Sequence, residues 1–246
     1  MNVTHVALRP TEAAEAAGRP ALTPELLAAT GARYSRNNEG LEAILARVDF
    51  AHPDAAVDGI FRMIDYGHQS IADMVPVAMF IDGVSLWLAY YLWALSPTAG
   101  GQESSTRYLK LTVAELIDPG VLGIPAAQQA AWRAQMAAAF EVYCTALARW
   151  EARAAADPAC LRLPRALRDD PSEKARKQVE RLRRNFAFDR ARYFLPTAAA
   201  TNVMLVMSAR GWVQVCQQLL SHALPEARQL GGLLRDELAL SAPRLL

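Results

Sequence analysis

The stretch GGQESSTRY, residues 100–108, combines two glycines with a carboxylate, three hydroxyl groups, an arginine and a tyrosine. Glu103, Ser105 and Arg107 alternate, so on an extended chain they point to the same side. Backbone amides beside the glycines can approach a ligand closely, hydroxyls such as that of Thr106 can donate to phosphate oxygens, and Arg107 can bind a phosphate bidentately. The stretch therefore predicts an anion-binding loop, although a polar turn in which Arg107 pairs with Glu103 explains it equally well.

A second polar segment, YGHQSIADM, places His68 directly after Gly67, with Ser70 and Asp73 following. Ser70 and Asp73 fit a helix start in which Ser70 caps the helix and Asp73 reaches back. In the functional interpretation, the two ring nitrogens of His68 hydrogen-bond a ring or a phosphate of a ligand. Both interpretations remain open from the sequence.

Two arginines near the C-terminal third also stand out. Arg192 lies one turn before Pro196, at a helix end where a cation is favoured by the helix dipole. Arg210 lies between Met207 and Trp212 in an apolar segment, so its charge needs a partner. That partner is either a phosphate or carboxylate ligand or a structural aspartate or glutamate.

The elements that must position these residues alternate between helical and strand patterns, which predicts an α+β layout of several helices with three or four strands in a single domain, residues 1–246. Predicted strands are VTHVAL, VAMFI (77–81) and TRYLKLT, with Asp82-Gly83 as a turn. Predicted helices begin at Pro24 after Thr23, at a cap on Asp54, after Pro125, near Glu173, in MLVMSARGWVQVCQQLLSHAL and after Pro225.

Composition limits the class of protein and of partner. With 246 residues, 52% of them hydrophobic, and a formal charge of +1, the chain is typical of a globular protein without general attraction to nucleic acid or membranes. Three cysteines without CxxC spacing predict neither a metal site nor disulfides and favour a reducing cytoplasm. The N-terminus does not resemble a signal peptide. The apolar run 84–95 is too short to span a bilayer and suits a buried helix or an oligomer interface.

The order of six short segments carries more information than any one of them. They are ARYS (32–35), GHQSIADM (67–74), DGVS (82–85), QESSTRY (102–108), ARYFLP (191–196) and SAR (208–210). Together they resemble the motifs of the flavin-dependent thymidylate synthases, in the same order, over about residues 25–230.

The resemblance implies that family's fold, with a central mixed or antiparallel sheet of a few strands and long helices. It implies a homotetramer with active sites at subunit interfaces. It also implies a methyltransferase that uses methylene-tetrahydrofolate and FAD reduced by NADPH to methylate carbon 5 of dUMP or UMP.

Site residues follow from the resemblance position by position. They are Glu103, Ser105, Thr106, Arg107 and Arg192 for the nucleotide, and Ser35, His68, Ser70, Asp73 and Arg210 for the flavin or folate. Arg192, which would polarise the pyrimidine ring, and His68, which would border the flavin, are the catalytic candidates. Asp73 stands where glutamate is usual in the family, and Ser208 where asparagine is usual.

One family motif is missing. The R-H-R segment that grips the flavin aligns with Leu95-Ser96-Pro97, and no arginine or histidine occurs from Gly83 to Thr106. A further nucleotide-binding arginine falls near Leu219. Three hypotheses follow: an enzyme with the family chemistry, a family member that acts on another small molecule or uses another cofactor, and a non-catalytic subunit that assembles with an active homologue.

Overall fold

The structure, a computed structural model, describes residues 1–36, 38, 40–65, 69–106 and 111–245. Contacts divide the chain into two compact units. Unit 1 comprises Met1–Val84, Leu88–Glu103 and Asn202–Leu246, and unit 2 comprises Ser85–Trp87 and Ser104–Thr201. The expected single domain stays a prediction.

Most of the described residues lie in helices, and few lie in strands. The α-helices are α1 (Glu12–Ala16), α2 (Pro24–Tyr34), α3 (Leu41–Leu45), α4 (Pro53–Asp65), α5 (Leu86–Leu95), α6 (Ala126–Ala156), α7 (Arg165–Arg168), α8 (Glu173–Ala191), α9 (Ala209–Leu220) and α10 (Pro225–Leu238). Short 3-10 helices are Gln69–Met74, Val113–Glu115, Pro158–Leu161, Arg192–Phe194 and Pro243–Leu245. The strands are β1 (Asn2–Val6), β2 (Pro76–Ser85), β3 (Gly100–Glu103) and β4 (Ala200–Ser208).

The four strands form one sheet in the order β1-β2-β4-β3. Strand β1 pairs antiparallel with β2, with Asn2 opposite Asp82. Strand β3 pairs antiparallel with β4, with Gly100 opposite Val206 and Glu103 opposite Val203. The α+β prediction is confirmed, and the loop stretch that begins at Gly100 contributes an edge strand.

Proline and capping signals located three long helices correctly. Helix α2 begins at Pro24 after Thr23, α6 begins directly after Pro125, and α10 begins at Pro225. Proline is favoured at the first helical position because its fixed φ suits a helix and its missing N–H has no partner there. The cap predicted at Asp54 is wrong, since α4 begins at Pro53 and Asp54 lies in its first turn.

The segment MLVMS was predicted as helix but lies in strand β4, so this prediction is wrong. Thr201, Val203 and Leu205 are buried while their neighbours are more exposed, which is the two-residue period of a strand. The helix starts only at Ala209, where the Ser208 hydroxyl accepts a hydrogen bond from the amide of Gly211 at 3.2 Å. A serine cap therefore ends the strand and begins α9.

Two further strand boundaries also differ from the sequence prediction. Strand β2 continues through Asp82 and Gly83 to Ser85, so the turn predicted at Asp82-Gly83 is wrong. Gly83 has a φ of +68° within the strand, a value that glycine adopts without strain. In the predicted strand TRYLKLT, residues 107–110 lie outside the described residues, and Leu111 and Thr112 belong to neither helix nor strand.

The core of unit 1 is built around the fully buried Trp212 of α9, whose indole N–H donates to the carbonyl oxygen of Val77 at 3.1 Å. In unit 2, Phe140, Tyr143 and Leu147 of α6 pack in a buried cluster that includes Ala187 of α8. Burial raises the pKa of the Tyr143 phenol above its ordinary value. Each unit thus has its own apolar cluster of helix side chains.

The apolar run 84–95 becomes the end of β2 followed by α5. Leu88, Ala89 and Leu92 are buried, whereas Tyr90 is exposed, so the helix has a buried side and an open side. In the described part of the chain, no helix is both long enough and apolar enough to cross a membrane.

The three thiols differ strongly in accessibility. Cys144 is exposed, Cys160 is half-buried and Cys216 is buried, where desolvation raises the pKa of its thiol to about 11. Because the thiolate is the reactive form, we expect iodoacetamide at pH 8 to modify Cys144 first and Cys216 only after unfolding. Peptide mapping by mass spectrometry, with and without denaturant, measures this order; modification of Cys216 as fast as Cys144 in the folded protein would contradict it.

Candidate functional site

The loop 100–106 begins where β3 lies against β4 with almost no room. A Cβ atom on Gly101 would lie 2.2 Å from the carbonyl oxygen of Met204 and 2.8 Å from a methyl group of Leu205. A Cβ on Gly100 would meet no atom within 4 Å. Only glycine fits at position 101, and this close approach fixes the strand from which Glu103 and the following hydroxyl residues extend.

We expect Gly101→Ala to destabilise the protein by about 1–3 kcal/mol or more, because the clash is with backbone and cannot be relieved by rotating a side chain. Gly100→Ala is the matched control and should leave the melting temperature nearly unchanged. Differential scanning calorimetry of the two variants measures the difference. Equal melting temperatures would show that β3 does not approach β4 this closely.

Glu103, the last residue of β3, is half-buried in unit 1. Its Oε2 atom accepts a hydrogen bond from the indole N–H of Trp93 at 3.2 Å. The indole orients the carboxylate by a contact within unit 1. Trp93 is therefore a positioning residue that the sequence patterns did not single out, because ten residues separate it from Glu103 and no short motif joins them.

The remaining loop residues are only partly described. Ser105 and Thr106 are half-buried and belong to unit 2. Arg107 lies outside the described residues, and so does His68. The predicted roles of these two residues therefore stay predictions.

Asp73, Ser208 and Arg210 meet in unit 1. The guanidinium Nη1 of Arg210 donates to Asp73 Oδ2 at 2.9 Å, and the Ser208 hydroxyl lies 3.4 Å from Asp73 Oδ1. In both contacts, the two residues are at least 135 positions apart in the sequence. Of the two partners that the sequence allowed for Arg210, the structure contains the structural carboxylate.

The cap predicted at Ser70 is wrong. The 3-10 helix begins at Gln69, so Ser70 lies inside it rather than at its start, and the Asp73 carboxylate points to Arg210 instead of reaching back. The Asp73–Arg210 pair is part exposed, with 47% and 37% of the side chains accessible, so its net contribution to stability is small. Its effect is to orient the Arg210 guanidinium.

Ser35 is exposed at the end of α2. Its hydroxyl donates to the carbonyl oxygen of Ala32 at 3.0 Å, which ties the side chain back to the helix. Ser70 is also exposed. Both hydroxyl groups are accessible to solvent in unit 1.

Arg192 begins the 3-10 helix that follows α8 in unit 2. Its guanidinium lies 3.7 Å from an oxygen of Asp189, beyond hydrogen-bond distance, and 5.9 Å from the ring centroid of Tyr193. The side chain is 38% accessible. Both contacts are weak, so the structure leaves this cation able to reorient toward an anion.

The segment aligned with the missing R-H-R motif is an apolar turn. Leu95 ends α5 half-buried, Ser96 is buried, and Pro97 is exposed. The amide of Ser96 donates to the Trp93 carbonyl oxygen, and its hydroxyl oxygen has no hydrogen-bond partner among the described residues. No cation is supplied by these three side chains.

Comparisons with known proteins agree with the motif order. Two Helicobacter pylori structures of the flavin-dependent thymidylate synthase ThyX with FAD and dUMP are 16% and 17% identical to this chain. They cover 96% and 100% of it, and the match spans 93% and 96% of their own lengths, with TM-scores of 0.52 and 0.57. The UMP/dUMP methylase PolB from Streptomyces cacaoi, bound with 5-Br dUMP, is 15% identical, with 99% and 91% coverage and a TM-score of 0.56.

At these identities the solved structures establish the fold. No curated protein sequence matches the chain significantly. The sequence profile of one family, the thymidylate synthase complementing proteins, matches residues 21–244. Since that match spans nearly the whole sequence, the chain belongs to the thymidylate synthase complementing protein family.

Proposed function

We propose that this chain methylates carbon 5 of a uridylate-type nucleotide, dUMP or UMP. Its family membership supports this proposal, and so do the structural relatives, which include a UMP/dUMP methylase and enzymes complexed with dUMP. The observation that carries it is the loop that begins at Gly101: a strand fixed against β4 extends into Glu103, and three hydroxyl residues follow.

The reaction replaces the C5 proton with a methyl group, for which methylene-tetrahydrofolate supplies the carbon and FAD reduced by NADPH supplies the hydride. In the proposal, the nucleotide donates a hydrogen bond to the Glu103 carboxylate and accepts hydrogen bonds from the hydroxyl groups of Ser105 and Thr106. Arg107 binds its phosphate. Arg192 stabilises negative charge on the pyrimidine ring with its own positive charge. Its guanidinium is available for this role because its contacts within the chain are weak.

Assignments on the cofactor side are also proposals. His68 borders the flavin. The other residues near the flavin or folate are Ser35, Ser70, Asp73 and Arg210. Asp73 holds Arg210 in one orientation, which leaves it a fixed donor. A homotetramer, as the resemblance implies, located in the reducing cytoplasm that the cysteine pattern favours, completes the proposal.

The turn Leu95-Ser96-Pro97 cannot bind the flavin as the family's R-H-R motif does, because none of its side chains carries a positive charge. Ser96 offers a single hydroxyl, and that group is buried. If FAD is the cofactor, other residues must hold it, and we expect its affinity to be low.

A thermal-shift series tests nucleotide binding directly. We expect dUMP or UMP to raise the melting temperature, because a ligand that binds only the folded state stabilises it. Arg107→Ala should abolish the shift, whereas Arg133→Ala, an exposed arginine paired with Asp118, should retain it. A full response from Arg107→Ala would refute the phosphate assignment.

Tritium release from 5-³H-labelled dUMP or UMP, in the presence of FAD, NADPH and methylene-tetrahydrofolate, tests the chemistry. Release together with the methylated nucleotide is the expected result. Protein that binds the nucleotide but neither gains flavin absorbance with added FAD nor releases tritium would refute the proposed reaction.

The apolar turn Leu95-Ser96-Pro97 favours one alternative, a family member that acts on a different small molecule or uses a different cofactor. Replacing three basic residues by apolar and neutral ones suits a less anionic ligand. Nucleosides that lack the phosphate would then raise the melting temperature more than dUMP does, which separates this alternative from the first proposal.

A further inference from the structure

A cavity of about 530 Å³ in unit 1 is rich in positively charged side chains. It is bordered by the last turn of α2, by α3, by residues 47–52 and by the first turn of α4. Arg33, Arg36 and Arg47 line it, together with His52 and one carboxylate, that of Asp49. Among the described lining residues, three carry a guanidinium group and one carries a carboxylate, so this cavity, here called the arginine cavity, has an excess of positive charge that favours anions. Arg36 and Arg47 also interact with other groups of the chain.

Arg33 provides the clearest sign of a missing partner. Its Nη2 atom donates to the carbonyl oxygen of Ala56, which fixes the guanidinium beside the first turn of α4. Its Nη1 atom is buried and has no hydrogen-bond partner among the described residues. A buried guanidinium N–H without an acceptor is unfavourable, so a turn of the Arg33 side chain that brings this N–H to an anionic oxygen in the cavity would be favoured.

The one carboxylate in the lining is already engaged. Asp49 accepts a hydrogen bond from the amide of Ala51 at 2.9 Å and lies 3.1 Å from the ring Nδ1 of His52. These contacts hold the pKa of Asp49 below its ordinary value, with the His52 contact as the largest cause. Asp49 therefore stays ionised at neutral pH and offsets part of the positive charge.

Backbone and apolar groups complete the lining. Ala55 and Ala56, in the first turn of the 13-residue helix α4, border the cavity, and the N-terminal end of a helix favours an anion. Ile44, Val48 and Ile60 form an apolar wall. Cations beside an apolar wall match a ligand with a charged end and an organic body.

We propose that the arginine cavity binds the phosphate or diphosphate group of a small phosphorylated molecule, whose organic part packs on the wall of Ile44, Val48 and Ile60. The site is built from residues of unit 1 other than those of the loop 100–106, so it does not rest on the proposed methylation. Arg36 directly follows Ser35, which the family resemblance places near the flavin or folate. A dinucleotide cofactor is therefore one source of the diphosphate, and a separate phosphorylated metabolite is the other.

Isothermal titration with pyrophosphate and with ADP tests the site. We expect the exposed pair Arg36→Gln/Arg47→Gln to weaken binding of both probes at least tenfold, because two charge-assisted contacts are lost. A matched control, Arg9→Gln/Arg235→Gln, removes the same charge from two exposed arginines outside the cavity lining and should bind as the unchanged protein does.

Asp49→Asn gives a test with the opposite sign. The amide oxygen can still accept from the Ala51 amide, but the negative charge beside the ligand is gone, so affinity for pyrophosphate should rise several-fold. A gain of affinity cannot come from misfolding. Unchanged or weaker binding by Asp49→Asn, equal losses in the two arginine pairs, or no binding of either probe by the unchanged protein would each overturn the proposal.

Competition identifies the source of the phosphate. Displacement of pyrophosphate by FAD supports the dinucleotide, whereas displacement by ADP but not by FAD supports a separate phosphorylated metabolite. The dUMP thermal shift of Arg36→Gln/Arg47→Gln should match that of the unchanged protein. A failure of nucleotide binding at the loop and a failure of the arginine cavity are thus seen in different measurements.

Discussion

Replacing Arg244 with alanine should lower the free energy of unfolding by about 3 kcal/mol, because the buried carboxylate of Glu25 loses its counter-charge. Near the C-terminus, Arg244 forms ion pairs with Glu25, Asp54 and Asp58. Glu25 is only 6% accessible in its side chain, and its other oxygen accepts from the Arg244 amide at 3.1 Å. These carboxylates raise the pKa of the Arg244 guanidinium above its ordinary value, so the charge is permanent.

The melting temperature of Arg244→Ala should fall by roughly 6–12 °C, given a chain of this length. Asp54→Asn is the control, since Asp54 is 80% accessible and an exposed pair contributes less than about 1 kcal/mol. The double variant Glu25→Leu/Arg244→Leu should recover much of the loss, because no unpaired charge remains buried. If Arg244→Ala and Asp54→Asn melt at the same temperature, Arg244 does not join the C-terminus to α2 and α4.

The sequence did not reveal this network, and the reason is physical. Local sequence patterns predict contacts only between residues a few positions apart, whereas Glu25 and Arg244 are 219 residues apart. Glu25 had a complete local explanation as an acidic residue in the first turn of α2. Only the folded chain shows that this carboxylate is buried and needs a counter-charge.

Arg210 shows how far sequence reasoning reached at the candidate site. A cation among apolar residues required a partner, and this requirement is met by Asp73. The sequence does not separate a ligand from a structural carboxylate as this partner, because Asp73 and Arg210 are 137 residues apart and the local pattern around Asp73 predicts a cap. The Ser208 cap on α9 was hidden in the same way by the helix predicted across β4.

From the sequence, Gly100 and Gly101 at the start of the loop predict a close approach of the backbone to a ligand. The close approach at Gly101 is to β4 of the same chain, while Gly100 has open space around it. Both uses of glycine rest on the same absence of a side chain, so composition alone cannot separate them. The motif order predicted the fold and the family, whereas the orientation of the site residues depended on long-range contacts.

Introducing positive charge into the turn after α5 should strengthen FAD binding strongly. Pro97 is exposed and Leu95 is half-buried, so Leu95→Arg/Pro97→Arg can be accommodated while the buried Ser96 is kept. Each charge-assisted hydrogen bond contributes about 1.5–3 kcal/mol, so two of them should lower the dissociation constant of FAD roughly 10²- to 10⁴-fold. Quenching of flavin fluorescence on titration measures it.

Leu95→Gln/Pro97→Gln is the matched control, because it introduces polar side chains of similar length without charge. Circular dichroism of both variants verifies that the helix ending at Leu95 still forms. A large gain for the arginine pair and none for the glutamine pair would mean that the chain keeps the family's flavin position and has lost only its cations. If both pairs bind FAD as weakly as the unchanged protein, the flavin lies elsewhere or is not this protein's cofactor, and the alternative with a different ligand gains support.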